Sequence, residues 1–74
     1  MPLEKIFGDE LRKAREEKGF SQEELGFESG YHRTYISQLE RGLKSPTLKA
    51  IFSLAKALGL RPSGLLKSVE SRMN

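Results

Sequence analysis

Cysteine is absent from this chain of 74 residues, which excludes a disulfide staple and any thiolate-bound metal. A single histidine is present, with no second imidazole to share a metal ion. No apolar run approaches the ~18 residues needed to cross a bilayer. The amino-terminal segment also lacks a basic stretch followed by an apolar run and a cleavage site. A water-soluble cytoplasmic chain, with no membrane partner, is the expectation. A glycine-rich phosphate loop and a convergent carboxylate pair placed in a cleft are missing as well, so the chain holds little with which to do covalent chemistry. No enzymatic activity, cofactor, metal or small-molecule ligand is expected. Strand-type alternation, internal repeats and low-complexity tracts are absent too, which leaves an all-α fold.

So short a chain buries only about 60% of the surface exposed on unfolding. It is expected to form one domain spanning residues 1–74, stabilised by helix packing and helped by a partner subunit. The net charge of +3 is modest, but it is unevenly spread. Residues 1–30 carry five Lys or Arg against eight Asp or Glu, whereas residues 31–74 carry eight against two. Such asymmetry suits a polyanion on one side of the molecule.

Five helices can be placed by their start and stop signals. Pro2 suits a first helical position, Leu3, Phe7, Leu11 and Ala14 follow at helical spacing, and Gly19 ends the run. Ser21 and Glu24 have the spacing of a capping box, with Phe20 and Leu25 as a hydrophobic staple, so a second helix starts at Gln22. It closes after about two turns at Ser29 and Gly30. Periodicity resumes at Arg33, with Ile36 and Leu39 inward, and stops at Gly42. Ser45 as cap and Pro46 as the following residue begin a fourth helix, whose stripe of Leu48, Ile51, Phe52, Leu54, Ala55 and Leu58 ends at Gly59. Pro62 opens a fifth, with Leu65, Leu66, Val69 and Met73 along one side and fraying expected after Ser71. Connections this short describe a compact bundle.

Within residues 22–41, Leu25, Gly26, Gly30, Ile36 and Leu39 have the spacing of a helix-turn-helix. A steep crossing of two short helices needs a small residue where they touch, at Gly26. It also needs a turn residue tolerant of positive φ, at Gly30. The stretches Ser21-Gln22-Glu23-Glu24-Leu25, Tyr35 to Gly42, Ser45-Pro46-Thr47-Leu48 and Leu54 to Gly59 resemble the lambda-repressor-like, or Cro/XRE, family of DNA-binding domains over about residues 4–68. Within that family His32 to Ser37 looks most like the controller proteins of restriction–modification systems. The resemblance implies a compact five-helix bundle, double-stranded DNA as partner, and a bacterial or phage regulator associated with the nucleoid. Two departures stand out. Gly26 replaces the family's usual alanine, at about 0.5–1 kcal/mol of helix propensity, and Ser29 stands where many members have an apolar residue; both are expected to loosen the motif.

At ~100° per residue, Thr34, Ser37, Gln38 and Arg41 fall on the outward side of the third helix, and Glu40 falls near Ile36 on the inward side. Short hydroxyls and an amide beside arginine suit close approach to base edges. Arg33, at the helix start that enters the major groove most deeply, suits bidentate pairing with guanine, and Gln38 with adenine. Base-reading roles are therefore assigned to Arg33, Thr34, Ser37 and Gln38, with phosphate contact or solvation as the alternative. Gln22 begins a helix whose free amides attract phosphate, and the resemblance implies a phosphate-binding glutamine there. Tyr31, Tyr35, Arg41, Lys44 and Ser45 flank the groove as backbone contacts, with packing against Ile36 as the alternative for Tyr31. For His32, a helix cap and a phosphate neighbour both stand. Arg15 and Glu40 lie at the edges of apolar stripes, where lone charges are unfavourable and a mutual bridge resolves both; such a bridge also recurs in the family.

The fourth helix is apolar across about 160°, wide for one packing partner. Phe52, Leu65, Leu66, Val69 and Met73, on the fourth helix and the 62–74 segment, are assigned to a homodimer interface. The resemblance implies the same region, and the alternative is that they close the monomer core. The function expected is a sequence-specific transcriptional regulator acting as a homodimer on a partly palindromic operator. An antitoxin that binds both a protein toxin and its own operator is the competing class.

Overall fold

The computed structural model describes residues 2–73, in which five α-helices follow one another: α1 Leu3–Lys18, α2 Gln22–Ser29, α3 Arg33–Glu40, α4 Leu48–Ala57 and α5 Pro62–Ser71. No strand occurs among the described residues, and no helix is long and apolar enough to cross a membrane. The start of α2 follows from its local chemistry. The Glu24 amide donates to Ser21 Oγ at 3.0 Å and the Ser21 amide donates to the Glu24 carboxylate at 2.8 Å, a reciprocal cap for donors the helix itself cannot satisfy. Gly19 and Gly30 close α1 and α2 at φ 82° and 84°, a region closed to most L side chains by ~1 kcal/mol or more.

Two helix starts differ from the sequence expectation. Pro2 is the cap of α1 rather than its first turn, with ψ at 144°; its carbonyl accepts from the Lys5 and Ile6 amides. At α4 the cap is Thr47 rather than Ser45, because the chain stays extended through Pro46 and the Thr47 hydroxyl meets the Ala50 amide at 3.0 Å. Ser45 is thereby released, and its hydroxyl donates to Glu4 at 2.9 Å, tying the α3–α4 loop to α1.

Leu11, Leu25, Ile36, Leu39 and Leu54 are fully buried, each such side chain contributing about 1.5–3 kcal/mol of transfer free energy. Around this centre α1 packs on α3 and α5, α2 on α3 and α4, and α4 on α5. Leu65 and Val69 are 2% and 4% exposed within the single chain, which overturns their assignment to a subunit interface. They lie on the side of α5 that faces the bundle and join its core cluster. Phe52, Leu66 and Met73 remain outside at 55%, 40% and 49% exposed. The end of α5 is anchored, since Arg72 reaches Glu10 at 3.0 Å and Asp9 at 3.5 Å on α1.

Gly8 has no counterpart in the sequence expectation. A Cβ there would meet the Leu39 carbonyl oxygen and lie 2.6 Å from that of Glu40. Mid-helix glycine therefore lets the α1 backbone lie directly on the last turn of α3.

Candidate nucleic-acid interface

The corner between α2 and α3 is set by three apolar residues and one glycine. Leu25, Ile36 and Leu39 are all 0% exposed, so the relative placement of the two helices is held from inside the core. The Gly26 carbonyl accepts from the amides of Gly30 at 2.9 Å and Tyr31 at 2.8 Å. A Cβ on Gly26 would stand 2.5 Å from the Tyr31 carbonyl oxygen. The expected loosening is thus reversed: this glycine lets the turn fold back more tightly than alanine would permit in the same backbone. Ser29, the other departure, turns its hydroxyl back to the Leu25 carbonyl at 2.7 Å, so its polar group is satisfied within the last turn of α2.

On α3 and its C-terminal cap Arg41 the structure leaves Arg33, Thr34 and Arg41 exposed and Ser37, Gln38 and Tyr35 half-buried, while Ile36, Leu39 and Glu40 are buried. One continuous polar side therefore runs along the helix. Arg33 Nη1 lies 4.0 Å from Glu23 on α2, with both side chains largely in solvent; a pair of that kind is readily exchanged for another acceptor.

His32 caps α3, its Nδ1 accepting the Thr34 amide at 3.0 Å. That bond requires a free lone pair on Nδ1, so Nε2 carries the ring proton and remains available to an outside acceptor. Tyr31 and Tyr35 stack at 4.9 Å between centroids and 38° between planes. Both are half-buried against the core cluster, so Tyr31 has the packing role that was its alternative as well as a place beside α3. Lys44 and Ser45 lie exposed in the loop after α3. Ser45 is engaged with Glu4, whose carboxyl is held below the usual range by its own backbone amide and then by this hydroxyl.

Beneath this surface lies the Arg15–Glu40 pair. Arg15 Nε and Nη2 donate to the two Glu40 oxygens at 2.6 and 3.1 Å, and Nη1 donates to the Phe20 carbonyl at 2.8 Å. The side chains are 11% and 3% exposed. Glu40 raises the Arg15 pKa above the ordinary arginine range through these hydrogen bonds, against an opposing effect of burial. Gln22 Nε2 donates to the same carboxylate at 3.1 Å, a contact the sequence did not suggest, because Gln22 and Glu40 lie on different helices and only the fold brings them together.

The outer side of α3, the start of α2 and the loop after α3 carry arginine, lysine, hydroxyl and amide groups that are exposed or half-buried. Among the described residues no group of His, Asp or Glu gathers as a metal site.

Comparison with known proteins gives consistent relatives. A family model described as Helix-turn-helix matches residues 11–65. Control protein C.BamHI of Bacillus amyloliquefaciens is 47% identical over 62 residues, covering 82% of this chain and 76% of that protein. The crystal structure of the restriction-modification controller protein C.AhdI from Aeromonas hydrophila is similar at TM-score 0.82 and 44% identity, covering 84% of this chain and 94% of that one. The clp gene regulator ClgR from C. glutamicum is similar at TM-score 0.91 and 31% identity, covering 100% of this chain and 96% of that one.

Proposed function

The chain belongs to the helix-turn-helix family of DNA-binding transcriptional regulators, and from that premise we propose that it is a restriction–modification controller protein that binds a partly palindromic operator as a homodimer and regulates its own promoter. The observation that carries this reading is the polar side of α3, which presents Arg33, Thr34, Ser37 and Gln38 on a helix fixed by fully buried Leu25, Ile36 and Leu39. A rigid helix with short polar side chains fits the major groove, where each base pair shows a distinct pattern of donors and acceptors.

In this reading Arg33 pairs with guanine and Gln38 with adenine, while Thr34 and Ser37 read neighbouring edges. Gln22, Tyr31, His32, Tyr35, Arg41 and Lys44 hold the phosphates. Ser45 joins them only by giving up its bond to Glu4.

Arg33→Ala is expected to cost about 1–3 kcal/mol of operator binding and to relax preference at one base pair, whereas Lys44→Ala weakens all duplexes alike and lowers the salt slope by about one. Fluorescence anisotropy on single-base operator variants at several salt concentrations separates the two. Identical behaviour of both variants across the operator set contradicts the division of roles.

The homodimer is supported by Phe52 on α4 and by Leu66 and Met73 on α5 and its end, all substantially exposed in the single chain. Beside Leu66 an apolar recess of about 190 Å³ is lined by Leu3, Phe7, Pro46 and Ile51 among others. A two-fold pair would bring two copies of α3 to half-sites about 34 Å apart. Sedimentation at micromolar concentration is expected to show twice the chain mass, and Leu66→Glu to return it to the monomer with α-helical content retained. A native chain that stays monomeric up to 100-fold higher concentration counts against the dimer.

A further inference from the structure

The buried ion pair sits at one end of a chain of bonds that ends at the protein surface. Arg15 on α1 holds both oxygens of Glu40 at the end of α3, and Glu40 Oε1 in turn takes a hydrogen bond from Gln22 Nε2 at the start of α2. An ionised carboxylate accepts and cannot donate. A glutamine side chain beside it can therefore bond only through its NH2 end, and the alternative amide orientation would set two oxygens against each other. Arg15 is tied as well to the Phe20 carbonyl, directly before the Ser21 cap of α2. One guanidinium thus fixes both the carboxylate and the backbone entrance to the helix that Gln22 begins.

We propose that Glu40 is a positioning residue for DNA binding, holding the Gln22 amide with its nitrogen toward the end of α3 so that the second N–H of that nitrogen is presented to a phosphate. The proposal rests on Gln22 being a phosphate contact. A phosphate accepts hydrogen bonds only, so an amide free to flip would offer it an oxygen in part of its population. Glu40 removes that population before DNA arrives. The pair therefore does more than join α1 to α3, since its charge sets the donor direction of a neutral side chain on a third helix.

Two measurements test this. In the native chain Gln22→Ala is expected to weaken operator binding about three- to tenfold, the range for one hydrogen bond. In an Arg15→Met/Glu40→Leu background, which replaces the pair by apolar side chains, the same substitution is expected to change binding less than twofold, while Lys44→Ala keeps its full effect. Equal losses from Gln22→Ala in both backgrounds overturn the positioning role and leave the phosphate contact standing. No loss in the native chain overturns the phosphate contact and the proposal with it.

The second measurement uses the native protein and needs no altered fold. Side-chain amide NMR of free chain is expected to show one Gln22 Nε2 proton slowed in exchange and shifted downfield, with its partner responding only when operator is added. Two freely exchanging protons at ordinary glutamine shifts overturn the proposal whatever the variants do.

Discussion

Glu40→Ala alone is expected to lower the free energy of unfolding by about 3–5 kcal/mol, because it strands a desolvated guanidinium. The Arg15 side chain is only 11% exposed, so little water reaches the guanidinium to replace its bonds to Glu40. The loss is a large share of the 5–15 kcal/mol typical of a whole domain, so a chain this small is expected to be partly unfolded at 37 °C. Arg15→Ala is expected to be nearly as damaging, since it leaves the 3%-exposed carboxylate facing only Gln22. Replacing both, as Arg15→Met/Glu40→Leu, is expected to cost far less than either single change, because neither charge then remains in the interior. Urea denaturation of the three variants gives the comparison directly. Small and additive losses would mean that water reaches the pair freely and that its burial has no energetic consequence.

Gly8→Ala is expected to destabilise by about 1–3 kcal/mol, the cost of forcing atoms into a filled interior. Helix propensity alone predicts the opposite sign, a gain of about 0.5–1 kcal/mol for alanine over glycine inside a helix. The obstruction decides the sign here. It consists of the Leu39 and Glu40 carbonyl oxygens, backbone atoms in the last turn of α3, which cannot swing aside as the tip of a long side chain can. Moving them would also disturb Glu40. Gly64 in α5 provides the contrast, because a Cβ there meets nothing within 4 Å, and Gly64→Ala is expected to stabilise by the propensity difference. Thermal melts of both variants showing a shared upward shift would contradict the close approach of α1 and α3.

What the sequence made legible is chemistry that acts within one turn of helix. Ser21 and Glu24 announce the start of α2 because both partners of the cap lie three residues apart and need no other element. Gly30 announces the turn for the same reason. Leu25 could be placed inside as the staple partner of Phe20, Ile36 and Leu39 because a short amphipathic helix has one apolar side, and Arg15 and Glu40 could be paired because a charge at the edge of such a side has few other partners.

The rest depended on what lies across the fold. Gly8 and Gly26 look alike in sequence, as blemishes in helix propensity, and only the carbonyls opposite them turn each into a requirement. Ser45 and Thr47 are equivalent capping residues two positions apart; the extended chain through Pro46 selects Thr47 and sends Ser45 to Glu4. Leu65 and Val69 share a stripe with Leu66, and periodicity cannot say how far round α5 the bundle reaches. Arg72 was expected in a frayed tail because its acidic partners, Asp9 and Glu10, are at the other end of the chain. That Thr34, Ser37, Gln38 and Arg41 turn away from Ile36 followed from periodicity alone, whereas the bond from Gln22 to Glu40 did not.

Selection of bound duplexes from a random pool by the purified chain, at moderate ionic strength with competitor polymer present, tests the central claim most directly. The account predicts enrichment of an inverted repeat whose half-sites lie about one helical turn, 10–10.5 base pairs, or a multiple apart. Arg33→Ala should lose the enrichment at one position of each half-site while keeping the rest. A pool that remains random after repeated rounds, with binding that only follows the salt concentration, would contradict it.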